Sequence, residues 1–298
     1  MGMRRSDANL REAPTVDSSE LLDMIALAAR DKRTELNLDR KGIRDLPPEI
    51  GLLTELQDLN LNDNRLVNLP AEIGQMINLR TLDVSYNRIE SIPAQLWHLR
   101  GLEALDLGGN LLSVLPPDIR RLANLRMLDL HTNRLRELPI EIGTLEQLRI
   151  LDISYNQIAE LPDELWQSPV IRSLNLSANP LAEIPPQIAA LSNLRTLTVG
   201  VNHLTMIPHE VGRLIGLERL IMPHCQIAYL PPEIGNLAQV QILDLRSNQL
   251  KELPPEIRKL TRLEELWLMD NKLPIPAEVL AQGDRPSAIL DYYFDHLA

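Results

Sequence analysis

Residues 53–75 read LTELQDLNLNDNRLVNLPAEIGQ, and the same pattern of 23 residues recurs along most of the chain. One column of the pattern holds nine asparagines and one cysteine: Asn64, Asn87, Asn110, Asn133, Asn156, Asn179, Asn202, Cys225, Asn248 and Asn271. A second column holds ten prolines: Pro47, Pro70, Pro93, Pro116, Pro139, Pro162, Pro185, Pro208, Pro231 and Pro254. Self-similarity at one fixed period indicates a stack of similar structural units rather than a single globular core.

Each part of the unit favours a particular local structure. The alternating leucines, such as Leu59 and Leu61, predict a short strand whose leucines face the core. The asparagine follows the strand, where its amide pairs with backbone groups of neighbouring turns. The proline ends the next extended stretch, and PPEIG then predicts a short helical or 3-10 turn. The sequence therefore predicts an α/β leucine-rich-repeat solenoid, a horseshoe with about eleven short parallel strands on its concave face.

Composition agrees with a repeat protein and excludes several functional classes. Leucine accounts for 59 of the 298 residues whereas phenylalanine occurs once, as expected when one core position is copied many times. The formal net charge of −11 argues against a protein that coats duplex nucleic acid. The single cysteine rules out a disulfide framework, and there is no long apolar run. We therefore expect a cytoplasmic protein without a nucleic-acid or membrane partner.

The pattern divides the chain into four parts. Residues 1–16 are polar and without periodicity, which predicts disorder. Residues 17–35 predict an N-terminal capping helix with Asp17 as its N-cap. Residues 36–273 form the repeat array, and residues 274–298 predict a C-terminal helical cap.

The C-terminal cap contains three of the nine aromatic residues of the chain, namely Tyr292, Tyr293 and Phe294. A cluster of this kind closes the open end of a repeat stack by covering its last leucines. The alternative is a docking face for another chain, because aromatic residues are enriched in the cores of protein interfaces.

The repeats resemble the class of 23 residues found in intracellular leucine-rich-repeat proteins, including Ras suppressors, plant Ras-group proteins and bacterial Roco proteins. The opening IALAARDKRTELNLDRKGIRDLPPEIG (25–51) resembles the start of Roco repeat domains. The segment NKLPIPAEVLAQGDRPSAILDYYF (271–294) resembles the Roco junction at which the repeats are followed by a Ras-like GTPase. The chain departs from that family because it contains no GxxxxGK[ST] motif, so GTP binding and hydrolysis are not carried over. The resemblance implies a role in intracellular signal transduction.

Four consecutive aspartates, Asp83, Asp106, Asp129 and Asp152, occupy the position between the two strand leucines. Stacking of the repeats places them side by side on the concave face. Carboxylates about 5 Å apart repel each other by about 0.8 kcal/mol in water, and by more where they are partly desolvated. A basic peptide or surface of another protein would relieve this repulsion. The alternative is that aspartate is a common residue of the repeat and is simply solvated here.

Aromatic and apolar residues extend this candidate binding surface. Tyr86, His131 and Tyr155 flank the aspartates, and tyrosine contributes both apolar area and a polar hydroxyl to interfaces. Further along the same face, Ile221 and Trp267 replace polar residues and form a second candidate region. Packing against the C-terminal cap is an equal alternative for Trp267.

Catalytic and metal sites find little support in the pattern. Asp129, His131 and Ser154 resemble a catalytic triad on adjacent strands, but an open sheet provides no oxyanion hole and no water-excluding pocket. His224 and Cys225 are adjacent, but the repeat turns their side chains in opposite directions, so they cannot share a tetrahedral ion. We therefore expect no enzymatic activity, no cofactor and no bound metal.

The sequence favours a non-enzymatic protein-interaction module that binds another protein through its concave face. The first alternative is a regulatory module of a Ras-like GTPase of the Roco type, which acts through the C-terminal helix. The second alternative is a purely structural repeat scaffold with an unused concave face.

Overall fold

The sheet of the computed structural model, which describes residues 15–296, is made of eleven parallel strands in the order in which they occur along the chain. They are β1 Glu35–Asn37, β2 Asp58–Asn60, β3 Thr81–Asp83, β4 Ala104–Asp106, β5 Met127–Asp129, β6 Ile150–Asp152, β7 Ser173–Asn175, β8 Thr196–Thr198, β9 Arg219–Ile221, β10 Ile242–Asp244 and β11 Glu265–Trp267. The predicted leucine-rich-repeat solenoid with eleven concave strands is confirmed.

The register between neighbouring strands is constant along the whole sheet. Leu59 lies opposite Leu82, and Leu82 lies opposite Leu105, so each residue pairs with the one 23 positions further along the chain. The central leucine of each strand points into the core and is almost fully buried. Because the register is constant, every column of the sequence pattern becomes a continuous row in the structure, and the columns of exposed residues become rows on the surface.

The convex side consists of short helical turns, each preceded by a proline of the repeat. Nine of the turns within residues 15–296 are 3-10 helices: Pro48–Leu52, Ala71–Gln75, Ala94–His98, Pro117–Arg121, Ile140–Thr144, Pro186–Ala190, His209–Arg213, Pro232–Asn236 and Pro255–Lys259. The remaining turn is the short α-helix α2, Asp163–Trp166. Trp97 and Trp166 stand where five of the ten repeats have glycine, and both are buried in the stack rather than exposed on the convex surface.

The asparagine column, here called the asparagine ladder, joins each repeat to its neighbour. Asn133 shows the arrangement: its Nδ2 donates to the carbonyls of Leu107, Leu130 and His131, and its Oδ1 accepts the N–H of Leu112. The side chain is buried, so these backbone groups would otherwise lack partners away from water. One amide therefore satisfies groups of its own repeat and of the preceding one.

Cys225 occupies the single position of the ladder that lacks asparagine. Its Sγ is buried and lies 3.4 Å from the carbonyl oxygen of Val199. Burial raises the pKa of the thiol, which keeps it neutral. The neighbouring His224 is exposed, so the two side chains do point apart.

Helices cover both ends of the stack. The N-terminal helix α1, Ser18–Arg30, buries Leu21, Ile25 and Ala28, and the carboxylate of Asp17 accepts the N–H of Glu20 at 2.8 Å. This is the predicted N-cap. The predicted disordered segment 1–16 lies outside the described residues, apart from its last two.

At the other end, α3 (Ala277–Leu280) and α4 (Pro286–His296) follow the last strand. The carbonyl oxygen of Gly283 accepts the N–H of Leu266 at 2.7 Å, which occupies a hydrogen-bonding group at the edge of the sheet. Tyr293 is buried and its hydroxyl accepts the N–H of Leu253, while Tyr292 and Phe294 pack partly buried against the core. These contacts favour the end-closing interpretation of the aromatic cluster. Among the described residues there is no helix with the length and apolar character needed to cross a membrane.

We predict that Asn133→Ala lowers the free energy of unfolding by about 2–4 kcal/mol, because it leaves several buried backbone groups without partners. Urea unfolding followed by circular dichroism measures this change. The matched control is Asn124→Ala, which removes an exposed asparagine with one hydrogen bond to Arg100. Similar losses in the two variants would contradict the role given to the ladder.

Candidate functional site

The four aspartates lie next to one another on β3, β4, β5 and β6, and we call Asp83, Asp106, Asp129 and Asp152 the acidic row. The strand register pairs each with the next. One oxygen of each carboxylate accepts the backbone N–H two residues further on, at 2.8–2.9 Å. These bonds fix the orientation of all four side chains.

Asp106 has fewer partners than the other three members of the acidic row. The Ser85 hydroxyl donates to Asp83, Nδ1 of His131 donates to Asp129, and the Ser154 hydroxyl donates to Asp152. The corresponding residue for Asp106 is Gly108, which has no side chain. Within the described part of the chain, Asp106 therefore accepts only from a backbone N–H.

The surroundings of Asp106 change its acidity. Burial, with smaller contributions from the charges of Asp129 and Asp83, raises the pKa of this carboxyl to about 6, against the lowering effects of the Gly108 N–H and of His131. A half-buried carboxylate without a side-chain partner in this position is costly in the free protein. It would be stabilised by any cation that binds over it.

Tyr86 and His131 meet above Gly108 and Gly109. A Cβ atom on Gly108 would collide with the His131 imidazole, and one on Gly109 would collide with the Tyr86 ring. Because the two glycines have no side chains, Tyr86 from the preceding repeat and His131 from the following repeat can contact each other. The Tyr86 hydroxyl lies 3.1 Å from Nε2 of His131, with the rings 5.5 Å apart in an edge-on arrangement.

The His131 imidazole is hydrogen-bonded to the carboxylate of Asp129 on one side and to the phenol of Tyr86 on the other. Its hydrogen bond to Asp129 is the main reason that the pKa of the imidazole is raised, and the charges of Asp152 and Asp106 add to the effect. The charged imidazolium donates through Nδ1 to Asp129 and through Nε2 to Tyr86. In the neutral form with the proton on Nδ1, Nε2 instead accepts from the Tyr86 hydroxyl.

The two tyrosines are the exposed part of this region. Tyr86 is 54% exposed and Tyr155 is 61% exposed, and both adopt left-handed backbone angles that turn them outward. Ser154, in contrast, is buried and bonded to its own Asp152. The arrangement considered for Asp129, His131 and Ser154 is therefore not a triad, because the hydroxyl donates to a different carboxylate.

Ile221 and Trp267 do not join the acidic row. Ile221 is half-buried on β9. The Trp267 indole packs against Gly283 of the C-terminal segment, its Nε1 donates to Glu265 at 2.7 Å, and the Arg246 guanidinium lies 5.4 Å from its ring. Of the two interpretations of Trp267, the geometry favours packing against the cap.

Three side chains of this region, Asp106, Asp129 and His131, lie close enough together to share a cation. One ligand atom from each of these residues falls within 4.8 Å of the others. Both imidazole nitrogens of His131 are already in hydrogen bonds, with Asp129 and Tyr86, so a metal ion would have to displace one of them. The arrangement fits a hydrogen-bonded cluster better than a metal centre.

Arginines form a second row that sequence reasoning missed. Arg126, Arg149, Arg172 and Arg195 each precede a strand, and we call them the arginine column. The backbone N–H of each arginine after Arg126 donates to the carbonyl of the previous one at 2.8 Å. Their spacing of 23 residues is visible in the sequence.

Comparison with known families identifies the class of protein. The leucine rich repeat family matches residues 34–89, 54–112, 77–135 and 123–181, and a two-copy form of the leucine rich repeat matches residues 238–280. Together these segments cover more than half of the chain. The chain therefore belongs to the leucine-rich-repeat family, whose fold is typically a non-enzymatic scaffold for protein interaction.

Solved structures with the same architecture come from several kinds of organism. The leucine-rich-repeat protein LIC12759 of Leptospira interrogans is 31% identical, with a TM-score of 0.70 over 85% of this chain and 77% of that chain. An internalin, InlF of Listeria monocytogenes, is 21% identical, with a TM-score of 0.78 over 92% of this chain and 84% of that chain. The plant peptide hormone receptor RGFR1 in complex with RGF2 is 28% identical, with a TM-score of 0.71 over 84% of this chain and 42% of that chain. No curated protein sequence matches the chain.

We predict that Asp106→Asn stabilises the protein at pH 7.5 by about 1–2 kcal/mol. The pKa of this carboxyl is raised on folding, so the carboxylate destabilises the folded state fully above about pH 6, and the cost disappears below about pH 4. The gain in unfolding free energy should shrink accordingly as the pH falls. Urea unfolding at several pH values measures it.

Asp83→Asn is the matched control for this prediction. The Asp83 carboxylate accepts from both the N–H and the hydroxyl of Ser85, so removing its charge should give no comparable gain. A gain for Asp106→Asn that did not depend on pH would show that electrostatics is not its origin.

Proposed function

We propose that this protein is an intracellular interaction module, and that its concave sheet binds a partner protein through basic side chains of the partner. The binding surface comprises the acidic row together with Tyr86, His131 and Tyr155. Asp106 is the central anchor, because its carboxylate is half-buried without a side-chain partner in the described structure. A guanidinium or ammonium group of the partner would supply the missing donor and the opposite charge.

The chain itself contains an example of this contact. On β10, Asp244 occupies the same position of the repeat as Asp106, and Arg246 binds it with two hydrogen bonds of 2.9 and 2.6 Å. The same guanidinium lies over the Trp267 ring. An aspartate of this column therefore has the geometry to accept a guanidinium with an aromatic ring beside it, and a tyrosine is available near Asp106.

The rigidity of the sheet supports a role in binding. The asparagine ladder and the constant register hold the acidic row in place before a partner arrives, so little conformational entropy is lost on association. The exposed tyrosines add apolar area next to the charges, a combination common among residues that dominate interface energetics. Peptide binding by a similar fold is seen in RGFR1, which is described as a peptide hormone receptor in complex with RGF2.

The setting of this function is a further part of the proposal. The likeness of segments 25–51 and 271–294 to Roco repeat domains supports cytoplasmic signalling. In the alternative role, as a regulatory module of a Ras-like GTPase, the contact would lie on the exposed side of α4. Charge changes on the acidic row would then leave partner binding intact.

The proposal is tested by selecting ligands from a random peptide display library on the purified protein. We expect the selected peptides to be rich in arginine or lysine, because the row offers several carboxylates within reach of one segment. Their affinity, measured by fluorescence anisotropy, should fall by about 30-fold or more in the Asp106→Lys/Asp129→Lys variant, where attraction becomes repulsion.

The matched control is Glu137→Lys/Glu146→Lys, which makes the same change in net charge at exposed positions away from the concave sheet. Circular dichroism confirms that both variants are folded. Failure to select any peptides rich in basic residues, or equal affinity loss of such peptides in the two variants, would refute binding by the acidic row.

A further inference from the structure

The arginine column is a run of like charge that the fold neutralises only at its two ends. Four guanidinium side chains follow one another on strands about 4.8 Å apart, in a chain of net charge −11. Arg126, Arg172 and Arg195 are exposed and Arg149 is half-buried. Like charges in adjacent positions of a sheet are unfavourable unless a counter-charge is present.

Both ends of the column show which counter-charge it accepts. The Glu103 carboxylate lies between two arginines of this position, 3.0 Å from Arg80 and 3.6 Å from Arg126. At the other end, Arg195 pairs with Glu218 at 3.4 Å. In each case an adjacent repeat supplies the carboxylate from the same position of the pattern.

The centre of the column differs from its ends. Arg149 and Arg172 are the two members of the column that have arginine at the same position in both adjacent repeats. In residues 15–296, neither guanidinium has a carboxylate within the 4.0 Å ion-pair distance. The chain thus supplies carboxylates at the two ends of the column and leaves its middle open.

We infer that the arginine column is a second docking surface, which binds an extended acidic segment of a partner protein. The column spans three strand spacings, about 14 Å from Arg126 to Arg195. Side chains on one face of an extended segment repeat about every 6.7 Å, so three alternate carboxylates cover nearly the same length. They would complete the ion pairs that the chain makes for itself at both ends.

The neighbouring surface suits such a segment. Met127 and Ile150 begin β5 and β6 and separate the arginine column from the acidic row, and Ile150 is 46% exposed. This apolar strip can contact the methylene groups of glutamate side chains bound to the arginines. It also keeps the acidic segment away from the carboxylates of Asp129 and Asp152.

The test uses a fluorescein-labelled peptide with glutamate at alternate positions, GETEVETEG, and the whole protein. We expect saturable binding by fluorescence anisotropy that weakens with added salt. Arg149→Glu/Arg172→Glu should weaken it by about tenfold or more. The neutral variant Arg149→Gln/Arg172→Gln should also lose affinity, and it serves if the charge-reversed protein fails to fold.

Two controls separate this site from general charge effects and from the acidic row. Arg134→Glu/Arg136→Glu makes the same charge change at exposed positions away from the column and should bind the peptide as the wild type does. Asp106→Lys/Asp129→Lys should bind it equally or more tightly, so the two docking proposals succeed or fail separately. The inference is overturned by absence of saturable binding, by equal loss in both arginine pairs, or by a DNA duplex that competes better than unlabelled peptide.

Discussion

The carboxamide of one asparagine per repeat is the interaction on which the whole structure depends. A strand of three residues is too short to be stable alone, and the chain must leave it through a tight turn that buries several backbone groups. The ladder amide satisfies those groups in two successive repeats at once, as at Asn133. It therefore fixes the length of the unit and the register of the sheet together. Every surface row follows from that register.

Much of the architecture can be predicted from the sequence because every repeat contains the same pattern of residues. The strand number, the convex turns and the side-by-side aspartates are all consequences of the period, whereas the N-cap at Asp17 follows from the local sequence of the capping helix. Features that depend on one repeat differing from its neighbours were harder to predict. Gly108 and Gly109 look like neutral replacements in the sequence, yet their missing side chains let Tyr86 and His131 meet and leave Asp106 without a side-chain partner.

The hydrogen-bond partners of individual side chains could not be predicted from the repeat pattern either. Ser154 belongs to a column that faces the concave surface, but its hydroxyl folds back onto Asp152 and becomes buried. A short polar side chain next to an acid satisfies its own neighbour before it meets another strand. His131 is long enough to do both, which is why it contacts Asp129 and Tyr86 while the serine contacts only its own aspartate.

Cys225 interrupts the asparagine ladder, because it replaces the carboxamide with a thiol. Its sulfur is a weak hydrogen-bonding group, so the interface between the repeats on either side is less stable than the other interfaces between repeats. In a stack of repeats that contact only their neighbours, the least stable interface between repeats is the one that separates first. Under mechanical tension the horseshoe should therefore part near this residue, so that the C-terminal repeats come away as one block and the repeats that carry the acidic row stay assembled.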